Sequence, residues 1–388
     1  MDNAIVIGAG IAGLAAAASL VRSGWRVQVL ESAPELGEVG AGLVVTVNGM
    51  RSLAMIGAAD RVRRDGYAVR PAGTRRWDGK WLLKAPDGDG ELTEMIGIHR
   101  RRLHRALVDV SEAELITDAG VTTVRPGTPG GAQAQVEWES ADGTHSASAD
   151  LLVAADGIRS AARGVLFPQG STYSGYSSWR AVVSDTSTGD RFAMTWGPNA
   201  EFGAMRISAS EVYWYGYVAL PSGHQFPDEL AAAREYFASW SPDVPALIDK
   251  TREVIRHDVW VLDRPLPRYT VGRTVLIGDA AHPMVPTLGQ GANSALEDGV
   301  SVGGLIHAGA DLAAGLRAYE SARYRRGQQL VRRSELMARV GSHLGPRGQA
   351  VRNAVLRLTP RRAAERSGSR IFDWTPPGSL GAEAVDSG

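Results

Sequence analysis

Three glycines, Gly8, Gly10 and Gly13, follow a β-branched run and open an Ala/Leu-rich stretch in "NAIVIGAGIAGLAAAASLVRSGWRVQVLE", residues 3–31. Residues of this type break no bonds themselves; they let bare backbone come close to an anion. Gly8 permits a tight turn, Gly10 lets the backbone approach a pyrophosphate at a helix N-terminus, and Gly13 lets helix and strand pack closely, with Ala12 beside them. Glu31 lies 18 positions after Gly13, where a carboxylate accepts hydrogen bonds from a ribose diol. A tight strand end would explain the glycines alone. Strand, helix, the stop at Gly24, a second strand and a terminal acid together predict one βαβ unit holding an adenine dinucleotide. Glu31 would repel a 2′-phosphate, so NAD or FAD suits it better than NADP.

Further anion-ready residues are spaced along the chain. In "GIHRRRLHRAL", Arg100, Leu103 and Leu107 fall at i, i+3 and i+7, so the leucines pack one helix face with Arg100 at its start, although the arginines could equally form a solvated patch. "DLLVAADGIRSAAR" (150–163) reads as a buried strand followed by Asp156-Gly157 and Arg159-Ser160, where a plain strand turn is the bland alternative. "TVLIGDAAHPMVPTLGQGANSALEDG" places Asp279 at a strand's carboxyl end, where open parallel sheets bind ligands. Gly289 and Gly291 then precede a helix from about Ala292.

The elements that must position these residues are consistent with a soluble α/β chain. The 388 residues are long enough for two lobes and carry 42 basic and 42 acidic side chains, so no bulk field draws the chain to nucleic acid or an anionic membrane. The absence of cysteine excludes disulfides, thiolate nucleophiles and Cys-ligated metal, and suits a cytoplasmic location. The apolar run from Ala4 to Val21 lacks a basic leader and a cleavage site and is interrupted by glycines, so neither a signal peptide nor a membrane span is expected.

The order of these motifs, GxGxxG with a terminal Glu, then R-x-x-L-x-x-x-L, then D-G-x-R-S, then G-D-A-A-H-P-x-x-P-x-x-G-Q-G-x-N, resembles the single-component FAD-dependent aromatic monooxygenases of the para-hydroxybenzoate hydroxylase fold. Salicylate hydroxylase, zeaxanthin epoxidase and flavin-dependent urate hydroxylases are of this kind. The resemblance spans residue 3 to about 345. It implies a fold of the α/β class, in which a Rossmann-like FAD-binding domain is interleaved with a β-sheet substrate domain and followed by C-terminal helices. FAD binding is implied at 1–70, 99–170 and 272–345, an excursion toward the substrate domain at 71–98, the substrate sheet at 171–271, and a C-terminal helix with a mobile tail at 346–388. Gly8, Gly10, Ala12, Gly13 and Glu31 would hold the AMP half of FAD, Arg100 the pyrophosphate and ribityl region, Asp156 the pyrophosphate side and Asp279 a ribityl hydroxyl. Pro286, Gly289, Gln290, Gly291, Ala292 and Asn293 would lie along the isoalloxazine. NADH or NADPH would reduce the flavin transiently, and O₂ would then react through a flavin C4a-hydroperoxide to hydroxylate an aromatic or polycyclic small molecule. Ser32, where the family commonly has a basic residue, and "VTVNGM", in place of its usual "PNA", leave the adenine-side contacts and the nicotinamide preference open.

Residues 172–270 read as strands with one helix around Pro227 to Trp240. Tyr213, Tyr215 and Tyr217 share one strand face and Trp214 takes the other. Candidate pocket residues are Tyr213, Tyr215, Arg180 and Pro286. No catalytic base is assignable: His282 reads as a positioning residue, and His99, His104 and His257 as surface groups or groups behind the site. No metal site is expected. Glu201 falls where urate hydroxylases carry an arginine, which disfavours urate. Alkene epoxidation and an FAD-dependent reductase or dehydrogenase stay open as alternatives, as do Baeyer-Villiger oxidation and the choice between monomer and homodimer. A halogenase is disfavoured by the missing Trp-x-Trp-x-Ile-Pro signature.

Overall fold

A computed structural model describes residues 2–37, 41–85, 94–341, 344–358 and 371–378. The apolar runs of the sequence build one sheet in the order Thr270–Val271, Thr274–Leu276, Leu151–Ala154, Asn3–Ile7, Arg26–Leu30 and Glu114–Ile116. All of its pairings are parallel except the edge hairpin at 270–276. Helix Ile11–Arg22 packs against helix Gly291–Leu305 through small residues: a Cβ on Gly299 would lie 2.6 Å from the Ala15 Cβ, and one on Gly303 would lie 2.2 Å from the Ser19 hydroxyl. Because Ala15 meets Gly299 and Ser19 meets Gly303, the two helices run in the same direction, and both N-termini open on one side of the lobe. Leu103 and Leu107 of helix Arg100–Ser111 are fully buried beside them, each contributing about 1.5–3 kcal/mol by the usual worth of a buried leucine.

A second, nine-stranded sheet runs Ile255–Leu262, Ser171–Ser184, Glu211–Ala219, Ala200–Arg206, Arg191–Gly197, Tyr67–Arg76, Met95–His99 and Gly42–Thr46, with Trp81–Lys84 paired to Tyr67–Arg76. Strand Tyr67–Arg76 runs across the boundary expected at 71, and the strand Gly42–Thr46, placed by its position in the first FAD-binding block, hydrogen-bonds into this same sheet. Pro71 made a boundary plausible because it cannot donate to a ladder, yet a register shift opposite it at Phe192/Ala193 lets the strand continue. The three-stranded antiparallel sheet Gly120–Arg125, Ala134–Ser140 and Gly143–Ala149 is a further element of the block expected at 99–170.

One face of the large sheet is a dry core of Trp179, Phe202 and Trp214 under Phe237, Trp240, Val244 and Ile248. Two helices supply that cover, Glu229–Phe237 and Asp243–Asp249. The second went unforeseen because Pro242 and Pro245 mask it in "SPDVPALID". The other face turns toward the FAD-side lobe, with Tyr176 and Tyr217 against Val285 and Ala338, and Tyr213 and Met205 against Ala41 and Val69. Helix Leu312–Gly341 packs back as expected and is followed by helix Pro346–Leu358. The tail expected to be mobile lies largely outside the described residues.

Candidate active site

The glycine loop shows why its residues cannot carry side chains. Gly8 has φ +98° and a Cβ there would sit 2.6 Å from the Ala155 carbonyl oxygen, while a Cβ on Gly13 would be 1.9 Å from the Gly8 oxygen. Gly10 is different: nothing lies within 4 Å of its Cβ position, and no side chain caps the helix that starts beside it. Open space in front of unpaired N–H groups is what a pyrophosphate requires. Glu31 braces the loop, accepting the Ala9 N–H at 2.7 Å and the Ala33 N–H at 2.9 Å. His104, expected at the surface or behind the site, is buried, with Nε2 2.7 Å from the Ala9 carbonyl oxygen. A cleft of about 440 Å³ starts here. Gly10, Glu31, Arg100 and His104 line one end, and Arg180 and His257 of the large sheet line the other.

Asp156 and Arg163 tie the second loop to the third. The Asp156 Oδ2 accepts the Ala162 N–H at 3.1 Å, whereas its Oδ1 is buried without a partner. Arg163 donates to the carbonyls of Gly157, Asp279 and Ala280. Burial lowers its pKa, with the Asp156 and Asp279 charges acting in the opposite sense. Asp279 itself stands exposed at the end of strand Thr274–Leu276, in a short 3-10 turn.

Behind the loop 278–293 lies a buried polar knot. The His282 Nε2 is 2.6 Å from the Asp298 Oδ2, which also accepts the Gly278 N–H, and Arg323 donates to Asp298 at 2.6 Å and to Glu297 at 2.5 Å. Arg326 and Asn48 complete the Glu297 carboxylate. Burial pushes the His282 pKa down, but the Asp298 charge outweighs it and the result is raised. Burial likewise opposes ionised Asp298, yet His282 and Arg323 hold its pKa well below the usual range. His282 thus ties the loop to Asp298 of the helix behind it. The knot extends to two residues expected along the isoalloxazine. Gln290 bonds to Thr46 and Asn48, and Asn293 bonds to the Thr46 N–H and to the Val44 and Gly289 carbonyls. Both are buried, and their side chains clamp the loop to strand Gly42–Thr46. Pro286 is exposed, Gly289 takes φ +62°, and helix Gly291–Leu305 starts at Gly291 and Ala292 without a side-chain cap. Asn48, Arg163 and Arg323 were missed in the sequence. "LEDG" inside an apolar helix was the signal, because two buried acids demand a cation.

On the sheet face, register places Arg180 opposite Tyr215 and Gly203 opposite Tyr215, with Val182 and Met205 flanking Tyr213. Tyr213 packs where Gly42 leaves room: a Cβ there would be 2.3 Å from its own. Glu201 shares this face, 1% exposed, accepting the Tyr215 hydroxyl at 2.7 Å and the Trp196 indole N–H at 3.1 Å. Burial pushes its pKa up to about 7, the two hydrogen bonds pulling against it.

The orphaned Asp156 oxygen, the open face of Gly10 and two uncapped helix starts on one side of the lobe fit an adenine dinucleotide flavin. Fold and site together define an α/β dinucleotide-binding flavoprotein with a substrate sheet laid over its cofactor cleft. A family model described as FAD binding domain matches residues 2–334, and the chain belongs to that family. The chain is 32% identical over 383 residues to the aurachin C monooxygenase/isomerase of Stigmatella aurantiaca, covering 96% of this chain and 98% of that one. It is 34% identical over 346 residues to an FAD-dependent urate hydroxylase of Klebsiella pneumoniae, covering 85% and 88%. Among solved structures, Klebsiella pneumoniae HpxO complexed with FAD and uric acid superposes with a TM-score of 0.84 at 28% identity over 96% of both chains. The protein is an FAD-dependent monooxygenase, an oxidoreductase of the aromatic-hydroxylating kind with NAD(P)H as transient co-substrate. Among the described residues, no helix is long and apolar enough to cross a membrane.

Proposed function

We propose that this monooxygenase hydroxylates a flat aromatic or polycyclic small molecule held between the tyrosine face of the large sheet and the loop 286–292. The observation that carries this reading is the tyrosine face itself: Tyr213 and Tyr215 sit on the side of the sheet turned to the cofactor lobe, and Tyr215 lies across the ladder from Arg180, which lines the cleft. Aromatic walls of this kind grip a flat ring. Bound FAD supplies the redox chemistry, taking reducing equivalents from NAD(P)H and passing them to O₂.

The chain's own residues bind, orient and exclude water. Backbone N–H groups after Gly10 and Ala12 would meet the pyrophosphate, Glu31 the ribose, Asp156 the pyrophosphate side, Asp279 a ribityl hydroxyl, and Arg100 the anionic centre of the cofactor. Gly289, Gly291 and Ala292 would offer N–H groups at a helix start, where the positive end of the dipole favours negative charge on the ring. The buried knot at His282, Asp298 and Arg323 holds that loop in place. Pro286, exposed at the loop's tip, would close one wall of the pocket. The test is a screen of aromatic compounds for stimulation of NADH or NADPH oxidation, with product mass read for a gain of one oxygen. Stimulation without oxygen gain would point to a reductase, and oxygen added across an alkene to an epoxidase.

A further inference from the structure

We propose that Glu201 sets the hydrogen-bonding polarity of the substrate cavity. By accepting the Tyr215 hydroxyl's hydrogen bond it leaves the phenol oxygen an acceptor, so that the site selects an uncharged aromatic ring presenting an O–H or N–H and rejects a ring carboxylate. The inference rests on the reading that the tyrosine face holds the substrate.

A phenol has one proton and two lone pairs. In Tyr215 that proton points to the Glu201 carboxylate, 2.7 Å away, and the ring lies over Gly203, where a Cβ would come within 2.4 Å of it. Tyr215 is half-buried, stands beside Tyr213 at 6.2 Å between ring centroids, and shares its face with Arg180. With a substrate held on this face, its oxygen can therefore offer only lone pairs, which a substrate O–H or N–H satisfies and a carboxylate or ether oxygen does not. An unpaired buried acceptor facing another acceptor loses a hydrogen bond and meets repulsion besides.

The surroundings of Glu201 leave this polarity unopposed. Its other oxygen accepts from Trp196. Tyr217, across the ladder, is the second titratable group facing it, and burial raises that phenol's pKa so that it stays protonated. Arg352, from the C-terminal helix, stacks on the Trp196 ring at 5.2 Å and spends donors on the carbonyls of Val340 and Gly341. Among the described residues no cation hydrogen-bonds the Glu201 carboxylate. With its pKa pushed up to about 7, the carboxyl gains a proton in mildly acidic solution; it can then donate to Tyr215, whose own O–H becomes free to face the cavity. Selectivity is accordingly strongest above neutrality and relaxes below it.

Three naphthalenes of one ring shape test this on the FAD-loaded protein, with affinities read from perturbation of the flavin absorbance: 1-naphthol, 1-methoxynaphthalene and 1-naphthoate. At pH 8 the wild type should bind 1-naphthol about tenfold or more tighter than either other probe, the equivalent of about one hydrogen bond, and the advantage should shrink at pH 6. Glu201→Gln should make the preference independent of pH, and Tyr215→Phe should bring 1-naphthol and 1-methoxynaphthalene to near parity. Tyr215→Phe serves alone if Glu201→Gln loses FAD. Equal affinities in the wild type, tighter binding of 1-naphthoate, or an unchanged preference in both variants would overturn the proposal while leaving the aromatic site standing. If none of the three perturbs the flavin, the aromatic site itself fails and the proposal falls with it.

Discussion

Two buried acid clusters in this molecule meet the same physical problem and resolve it oppositely. Behind the cofactor loop, Glu297 and Asp298 are both fully buried and ringed by Arg323, Arg326, His282 and Asn48, so that every charge has an opposite within hydrogen-bond reach. On the substrate sheet, Glu201 is as deeply buried but holds only two neutral donors. The first arrangement fixes a shape, because moving any member strands a charge. The second leaves a carboxyl poised near neutrality, which costs stability and creates a group that responds to what sits beside it. Buried charge by itself therefore says little about role; the completeness of its partners separates scaffold from site.

The most severe way to break the contrast is Arg323→Ala, which removes the cation shared by two buried carboxylates and should lower stability by about 3–5 kcal/mol, read from urea unfolding. A change below about 1 kcal/mol would mean the knot does not hold the loop. Trp214→Ala removes a fully buried indole and its hydrogen bond to Thr251 on the helix-covered face and should also cost about 3–5 kcal/mol, while FAD bound per folded molecule stays the same.

The acid clusters should then separate by pH. The folded-state pKa of Glu201 is raised, so between its ordinary value of 4.5 and about 7 the folded protein binds a proton that the unfolded chain does not. Stability falls as pH rises through that window, by about 3 kcal/mol in all. Glu201→Gln should be the more stable protein at pH 8 and lose that advantage at pH 4.5. Asp298 has the opposite sign: with its folded pKa depressed, its stabilisation is full above the ordinary value of 3.8 and drains away as pH falls toward the folded one. His282, raised by its partner, stabilises fully below 6.5 and loses that contribution as pH rises through its folded pKa. Melting curves of the wild type and Glu201→Gln across pH 4–9 resolve the Glu201 contribution, and identical profiles would contradict the contrast.

Smaller effects sharpen the division between cofactor and substrate groups. Asp279→Ala should weaken FAD retention by about 1–3 kcal/mol, the worth of a charge-assisted hydrogen bond, measured by titrating FAD into apoprotein; unchanged affinity would leave Asp279 a turn residue. Tyr213→Ala should keep its FAD but lose about 0.5–1.5 kcal/mol of ring stacking, raising the substrate KM or diverting NAD(P)H oxidation to free peroxide. If Trp214→Ala uncouples turnover while Tyr213→Ala merely destabilises, the working face of the sheet is the other one.

What the sequence determined by itself was everything encoded in short spacings. Gly13 is demanded by the Gly8 carbonyl of its own turn and Gly8 by a positive φ there, so the turn was readable without neighbours, although the Ala155 carbonyl that closes on Gly8 comes from a distant strand; Arg100 with Leu103 and Leu107, and the period-two alternation that put Tyr213 and Tyr215 opposite Trp214, were equally local. The tertiary structure decided whatever depends on partners distant along the chain. Asn48 meets Glu297 across 249 positions, and Asn293 meets Thr46 across 247. No local pattern shows that Gln290 and Asn293 spend their amides on the segment Val44–Asn48, or that Gly42–Thr46 joins the large sheet. The fate of the buried acids belongs to the same class. Glu201 and Glu297 look alike as residues; only packing dictates that one meets two arginines and the other a phenol and an indole, because desolvation and Coulomb attraction are set by what surrounds a charge in space.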